Sequence, residues 1–203
     1  MKKQVVIIHG GTSFATYEDY ISYLKTKEIN IEKLRLRKEW KETLTTELED
    51  SCDILLPRMP NRTNARYNEW KIWFDNITKV LNDELVLIGH SLGGIFLAKY
   101  LSENTFPKKI IATILVAAPF DDTEGVDGKE SLIDFTLPPS LDKFKEQCGK
   151  IYLLHSQDDS VVPFAQLEKY KKALSNAEAV VLKDREHFNQ ETFPEIIKII
   201  KSV

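Results

Sequence analysis

The residues best suited to chemistry form the run GHSLGG at 89–94, between a β-rich apolar run and a helical pattern. A serine held on a sharp strand-to-helix turn needs small neighbours two residues to either side, because larger side chains would collide with the turn. Gly89 and Gly93 meet that need. The pattern predicts that Ser91 is a nucleophile and that the N–H of Leu92, at the helix amino terminus, stabilises an oxyanion. A chance glycine-rich turn is the alternative.

Nucleotide binding is the competing interpretation of a glycine-rich turn, and the neighbouring residues argue against it. A phosphate-binding loop continues with Lys and then Ser or Thr after its last glycine, but Ile95 follows Gly94. The dinucleotide motif has a second glycine two positions after the first, where this chain has Ser91. No nucleotide cofactor is implied.

A serine hydroxyl needs a neighbouring base at neutral pH, and the chain has 4 histidines. His9 and His155 lie at predicted strand ends, while the backbone direction at His90 is predicted to point its side chain away from the face of Ser91. His187 lies in a charged loop after the last predicted strand, from which its side chain is free to swing over the sheet edge. We therefore predict that His187 is the base. A surface histidine without a catalytic role is the alternative.

The acid that orients this base is expected after the strand at 151–154, where Asp158 and Asp159 are adjacent. Either carboxylate is able to reach a histidine, and the other would then face solvent or cap a turn. The residues themselves leave both open. The remoter candidates are Asp121 and Asp122, after the preceding strand, and Asp184, which is too close to His187 in sequence to lie behind it.

A second oxyanion donor is predicted in the sequence HGGT at 9–12, which ends the first strand. Gly10 and Gly11 let the backbone approach a substrate without obstruction by side chains. We predict that the N–H of Gly11 or Thr12 is this donor. A plain glycine turn is the alternative.

Short apolar runs alternate with helical patterns along the chain. Such alternation predicts an α/β fold, a three-layer α/β/α sandwich with a mostly parallel sheet of about six strands, whose binding groups follow the carboxyl ends of the strands. The predicted strands are 4–8, 53–56, 85–88, 110–117, 151–154 and 179–182, and the clearest helical patterns cover 14–24, 67–81, 95–101, 164–174 and 194–200.

Two further segments carry structural predictions. Apolar residues spaced at three and four positions between 67 and 81 predict a helix whose large side chains, including both Trp70 and Trp73, all lie in the core. The stretch at 29–48 mixes alternating and helical spacing, and we predict an irregular link followed by a helix.

Length and composition predict one domain over residues 1–203. The 28 basic and 31 acidic residues give a net charge of −3 without a basic cluster, which argues against a nucleic-acid partner. Two cysteines, Cys52 and Cys148, suggest neither a disulfide framework nor a metal site. The absence of a signal peptide core and of a membrane-length apolar run predicts a cytoplasmic protein that binds no membrane.

These motifs together resemble the α/β-hydrolase superfamily, and within it the small, lidless serine hydrolases of the retinoblastoma-binding-protein-like or YdeN-like family. The resemblance covers nearly the whole chain. Its segments are HGG at 9–11, PRMPN at 57–61, YNEWKIWF at 67–74, IGHSLGG at 88–94, AAPF at 117–120, HSQDDSVVP at 155–163 and EHF at 186–188.

The resemblance selects between the two adjacent aspartates. The family form of the segment at 155–163 is H-G-x-x-D-x-x-V-P, which implies that Asp159 is the acid and Asp158 is not. Ser156 stands where the family usually has glycine. The resemblance also implies hydrolysis of esters or related acyl compounds without a cofactor. Four residues from the shared segments are predicted to contact the substrate: Met59, Phe120, Val162 and Phe188.

The loop at 120–139, where many relatives insert a lid, is short and acidic. An acidic rim without a lid argues against long-chain lipid substrates and mildly against anionic ones, and favours small soluble acyl substrates. Two alternative functions keep the same fold: a partner-binding protein, and an acyltransferase or aminoacyl amidase that uses the same three residues.

Overall fold

The computed structural model describes residues 2–35, 38–122 and 131–203, and its strands lie where the apolar runs occur. β-branched and other apolar residues suit the interior of a sheet that is covered on both faces. The strands are β1 (Lys3–Ile8), β2 (Cys52–Leu55), β3 (Glu84–His90), β4 (Lys109–Val116), β5 (Cys148–Ser156) and β6 (Glu178–Leu182).

The six strands form one sheet in the order β2-β1-β3-β4-β5-β6. Every neighbouring pair is parallel. Parallel neighbours need crossover connections, and helices supply them here. The predicted α/β fold is confirmed, and the sheet is wholly parallel among the described residues rather than mostly so.

Helices connect the strands and cover the sheet. They are α1 (Tyr17–Thr26), α2 (Ile31–Leu34), α3 (Trp40–Glu47), α4 (Tyr67–Thr78), α5 (Leu92–Glu103), α6 (Asp142–Gln147), α7 (Ala165–Ala173) and α8 (Pro194–Ser202), with a short 3₁₀ turn at Ile133–Phe135. Among the described residues, no helix has the length and apolar character to cross a bilayer.

Successive residues of β1 divide the core into two layers. Val6 and Ile8 pack in one cluster with Trp70 of α4 and aromatic residues of α5. Val5 and Ile7 point to the opposite face, where the cluster includes Trp40 of α3 and apolar residues of α8. Because side chains alternate along a strand, one short run of four apolar residues builds both layers.

Helix α4 corrects one sequence prediction. Trp70 and Phe74 are fully buried, but Trp73 is 46% exposed. At roughly 100° per residue, position 73 lies well away from the face that positions 70 and 74 share. The helix ends at Thr78, and Val80 beyond it is 80% exposed. The predicted core stripe is therefore narrower than its spacing suggested.

The segment at 29–48 ends in α3, the helix predicted there, and among its described residues the link before α3 is not wholly irregular. It contains the short helix α2 before α3, and three apolar residues of the second part, Trp40, Leu44 and Leu48, are buried. These three belong to the core layer that also contains α8. This segment therefore covers the same face of the sheet as α8.

The sheet order places the predicted site at the centre of the fold. β1 lies between β2 and β3, so the chain passes from β1 to β2 on one side and then crosses back over β1 to β3, which reverses the direction of the strand order. Crevices at such reversals, at the carboxyl ends of the strands, are the usual ligand sites of open α/β sheets. The HGGT sequence and Ser91 follow β1 and β3, which are direct neighbours.

Candidate active site

We call residues 89–94 the nucleophile turn. Ser91 there has φ 55° and ψ −123°, between the end of β3 and the start of α5. Its N–H donates to the carbonyl of Val116 at 2.9 Å. A Cβ on Gly89 would lie 2.4 Å from the carbonyl oxygen of Gly93, and a Cβ on Gly93 would lie 2.3 Å from that of Ile8. Both glycines are therefore required by backbone contacts, as the motif predicts.

Two backbone N–H groups beside Ser91 are available to an oxyanion. The N–H groups of Leu92 and Gly11 donate to no described residue. Thr12 was predicted as the alternative second donor, and that prediction is wrong, because its N–H donates to the carbonyl of Arg62 at 2.8 Å. Gly10 packs on the serine, since a Cβ there would lie 3.1 Å from Ser91 Cβ. This contact brings the backbone after β1 against the nucleophile turn.

The carboxylate of Asp159 lies against the imidazole of His187. The Asp159 oxygens are 2.9 and 3.1 Å from His187 Nδ1. The N–H groups of Val161 and Val162 donate to the same carboxylate at 2.8 and 2.9 Å. The side chain of Asp159 is fully buried. The carboxylate accepts hydrogen bonds from both backbone N–H groups, and its contact with His187 directs the Nδ1–H of the imidazole towards the carboxylate.

Asp158 does not contact the imidazole. Its carboxylate accepts hydrogen bonds from Ser156 Oγ and from the N–H of Glu186 at 3.0 Å. The bond from Ser156 is the main cause that lowers the pKa of the Asp158 carboxyl. Ser156, which replaces the glycine usual in the family, also accepts from the N–H of Arg185 at 3.0 Å. Asp158 and Ser156 therefore hold the backbone that precedes His187.

We call residues 183–190 the histidine loop, and three donors from distant elements hold its far side. His90 Nε2 donates to the carbonyl of His187 at 2.9 Å. Trp40 Nε1 donates to the carbonyl of Phe188 at 2.9 Å, and the backbone N–H of Trp40 donates to the carbonyl of Gln190 at 2.8 Å. The loop contains two residues with positive φ, Glu186 at 45° and Phe188 at 56°. Such strain persists only where the surroundings hold it.

Sequence reasoning missed the roles of Trp40 and His90. The ring of His90, predicted to point away from the face of Ser91, lies 5.0 Å from the ring of His187. Burial is the main cause that keeps the pKa of His90 well below its usual value, so the ring is neutral. Trp40 lies in the stretch whose spacing predicted a helix, but no local pattern identifies a partner 148 positions away.

The other two histidines are used structurally. His9 Nδ1 donates to the carbonyl of Gly10 at 2.6 Å, and its Nε2 accepts from the N–H of Met59 at 2.9 Å. His155 Nε2 donates to the carbonyl of Val162 at 2.9 Å. Burial is the main cause that lowers the pKa of both imidazoles. Both are therefore neutral, and both ring nitrogens of His9 and the Nε2 of His155 are engaged in hydrogen bonds.

Ser91 and His187 line one cavity of about 980 Å³ at the carboxyl ends of the strands. Ser91 Oγ forms no hydrogen bond with any described residue. In enzymes without bound substrate, the hydrogen bond between a serine nucleophile and its base is often long, and it shortens when substrate binds. The cavity is large enough for a small organic ligand.

The four predicted substrate contacts divide into two pairs. Met59 and Val162 line the cavity. Phe188 is 0% exposed and packs on Phe193 in the core, because the turn of the backbone after His187 directs its ring inwards. Phe120 packs on Tyr170, with its N–H bonded to Gln166, and does not line the cavity. The last two predictions are therefore corrected.

The predicted acidic rim is not found among the described aspartates of the loop at 120–139. Asp121 pairs with Lys169 at 2.7 Å, and Asp122 accepts from the N–H of Leu132 at 2.9 Å. Asp134 accepts from the N–H of Tyr67 at 2.9 Å. None of the three lines the cavity. Glu124, Asp127 and Glu130 lie outside the described residues.

Comparison with known proteins gives the same fold and a family. The chain is 29% identical over 150 residues to the serine hydrolase RBBP9 of Rattus norvegicus, covering 73% of this chain and 76% of that one. The ydeN gene product of B. subtilis superposes with a TM-score of 0.74 at 20% identity, covering 99% and 98% of the two chains. A carboxylesterase of Nitrososphaera gargenis gives a TM-score of 0.63 at 16% identity, covering 99% and 89%.

The family model described as "Serine hydrolase" matches residues 35–200, which include the nucleophile turn, Asp159 and the histidine loop. On this match the chain belongs to the serine hydrolase family.

Proposed function

We propose that this protein hydrolyses small acyl esters or related acyl compounds through an acyl-enzyme formed on Ser91. The observation that carries the proposal is the Asp159–His187 pair, 2.9 Å apart, whose imidazole lies on the wall of the cavity that Ser91 also lines. A buried carboxylate, an imidazole and a hydroxyl in this order form the relay that activates a serine.

In the first half-reaction, Ser91 Oγ attacks the acyl carbonyl carbon while His187 Nε2 takes the hydroxyl proton. Asp159 holds the imidazole through Nδ1–H and stabilises its cation. The oxyanion accepts hydrogen bonds from the N–H groups of Leu92 and Gly11. The bond from the carbonyl carbon to the leaving oxygen breaks, and the imidazolium protonates the departing alcohol.

In the second half-reaction, water replaces the alcohol beside His187. The imidazole takes a proton from water, whose oxygen attacks the acyl carbon. The bond from this carbon to Ser91 Oγ then breaks, and the imidazolium returns the proton to Ser91 Oγ. The net reaction consumes one ester and one water and yields a carboxylic acid and an alcohol. We expect the partner to be a small acyl compound.

The test is labelling and turnover at Ser91. A fluorophosphonate probe should label the folded protein at Ser91, and Ser91→Ala should abolish labelling and lower ester turnover by about 10⁴ or more. Ser175→Ala, at an exposed serine away from the cavity, is the matched control and should change neither readout. Folded protein that resists the probe and hydrolyses no ester in the panel would contradict the proposal and favour a partner-binding role.

The acyl acceptor is tested separately. Product analysis with competing alcohols or amines should show free acid as the main product. Acyl transfer to the added acceptor in excess of hydrolysis would identify a transferase that uses the same three residues.

A further inference from the structure

Two arginines on the wall of the cavity have no partner within the described part of the chain. Arg58 and Arg62 both line the cavity and are exposed. Neither guanidinium makes a hydrogen bond or an ion pair with any described residue. An unpaired guanidinium offers five N–H donors in a fixed planar arrangement that matches a carboxylate.

The other charged side chains that line the cavity are engaged in local contacts. Lys41 pairs with the carboxylate of Glu39 at 2.5 Å. Glu42 accepts from the N–H of Glu39 at 3.0 Å. Lys27 lies over the ring of Tyr23, 4.9 Å from its centre. Among the described residues, this leaves the two arginines as the charges available to a ligand.

The backbone that carries the arginines is held rigidly. The N–H of Met59 donates to His9 Nε2 at 2.9 Å, and Trp70 Nε1 donates to the carbonyl of Pro60 at 2.7 Å. Asn61 has φ 50°, and its side-chain amide donates to Glu69 at 2.9 Å. A site is selective when its groups project from a backbone that is fixed before the ligand binds.

This segment also lies close to the reacting serine. A Cβ on Gly11 would lie 2.7 Å from the carbonyl oxygen of Arg62, and a Cβ on Gly10 would lie 3.1 Å from Ser91 Cβ. Two adjacent glycines thus separate the backbone of Arg62 from the nucleophile. The charge of Arg62 is also among the causes that lower the pKa of His9 and of His90, after burial in both cases. Its field therefore reaches the centre of the site.

We propose that Arg58 and Arg62 bind a free carboxylate on the substrate, so that the preferred substrate is an acyl ester with a second, anionic group apart from the reacting carbonyl. This inference rests on the proposed function and narrows its substrate class. It replaces the expectation of a site that disfavours anions, since the described aspartates behind that expectation are paired away from the cavity.

The experiment compares two esters of equal chain length, 4-nitrophenyl hexanoate and mono-4-nitrophenyl adipate. The native protein should have the higher kcat/KM for the adipate. In Arg58→Gln/Arg62→Gln the ratio of kcat/KM, adipate over hexanoate, should fall by about tenfold. The variant loses two exposed ion pairs, and each contributes up to about fivefold in binding. Raising sodium chloride from about 0.05 M to about 0.5 M should lower the same ratio in the native protein by screening.

The control is Lys172→Gln, which removes one positive charge from an exposed position of α7 away from the cavity and should leave the ratio unchanged. Equal kcat/KM for the two esters, or a ratio that the double variant does not lower, would overturn the inference while Ser91-dependent hydrolysis still supported the proposed function. Hydrolysis of neither ester would overturn both.

Discussion

The nucleophile turn and the histidine loop each present one side chain of the proposed mechanism, Ser91 and His187, but they are held by different means. In the nucleophile turn the constraint is backbone against backbone, with Gly93 pressed on the end of β1. In the histidine loop the constraint is a set of hydrogen bonds, one accepted by Asp158 and the others donated by Trp40 and His90. The first region is specified by steric exclusion within and around one short motif, and the second by partners spread over the whole chain.

This difference predicts how each region fails. A substitution in the nucleophile turn that adds volume meets backbone atoms, which cannot move without displacing a helix from the sheet. A substitution behind the histidine loop leaves the fold in place but loosens one imidazole. Loss of stability should therefore dominate in the first region and loss of turnover in the second.

After the loss of Ser91 itself, the largest effect is expected when the imidazole loses its carboxylate. Asp159→Asn should lower kcat by about 10³ to 10⁴, because the amide no longer fixes the imidazole tautomer or stabilises its cation. Asp158→Asn keeps an oxygen acceptor for the N–H of Glu186 and should lower kcat by less than about tenfold. Steady-state kinetics on one ester measures both. Equal losses in the two variants would show that the loop, and not the Asp159 carboxylate, is what matters.

The next effect concerns the nucleophile turn. Gly93→Ala places a Cβ 2.3 Å from the carbonyl oxygen of Ile8 and should cost more than about 2 kcal/mol of unfolding free energy, measured by urea denaturation. Gly10→Ala is the matched change, with its nearest contact at 3.1 Å on Ser91 Cβ. It should cost less stability but crowd the nucleophile and lower kcat/KM. A stable, folded Gly93→Ala protein would contradict the steric account of this turn.

The smallest effect tests the support behind the histidine loop. Trp40→Phe keeps an aromatic ring but leaves the carbonyl of Phe188 without its donor, which should cost about 1 to 2 kcal/mol of stability and lower kcat several-fold. Trp73→Phe, at an exposed tryptophan, should stay within about 0.5 kcal/mol of the native protein. A reduced kcat with an unchanged KM would separate loosening of His187 from a change in substrate binding. If the two variants behaved alike, the contact from α3 would have no functional weight.

Much of the fold was predictable from the sequence because it depends on local patterns. Each of the six apolar runs became a strand, since short β-branched segments are too brief for helices and bury both faces. Helix α1 begins at Tyr17 rather than near Phe14, because Thr16 and Asp19 form a reciprocal cap there. The exposure of Trp73 was missed because the breadth of the buried face depends on what packs opposite the helix.

The site divides in the same way. The need for glycine near Ser91 is visible in the sequence, because the atoms that exclude a side chain at Gly89 belong to the same motif. The residues around Asp158 and Asp159 give no comparable local constraint that distinguishes the two carboxylates. Only the turn after β5, in which Val161 and Val162 donate to Asp159, directs one carboxylate at His187 and the other at the loop backbone.

By itself, the sequence determined which candidate site residues follow which strand. These are a serine on a tight turn after β3, a glycine pair after β1, and a histidine after β6. Steric exclusion and hydrophobic periodicity act between near neighbours, so a linear chain displays them. The tertiary structure alone decided that Trp40 and His90 hold the histidine loop, that Phe120 and Phe188 lie outside the cavity, and that two arginines remain unpaired among the described residues that line it. These facts depend on which distant atoms meet in space, and a hydrogen bond of about 3 Å leaves no trace in sequence spacing.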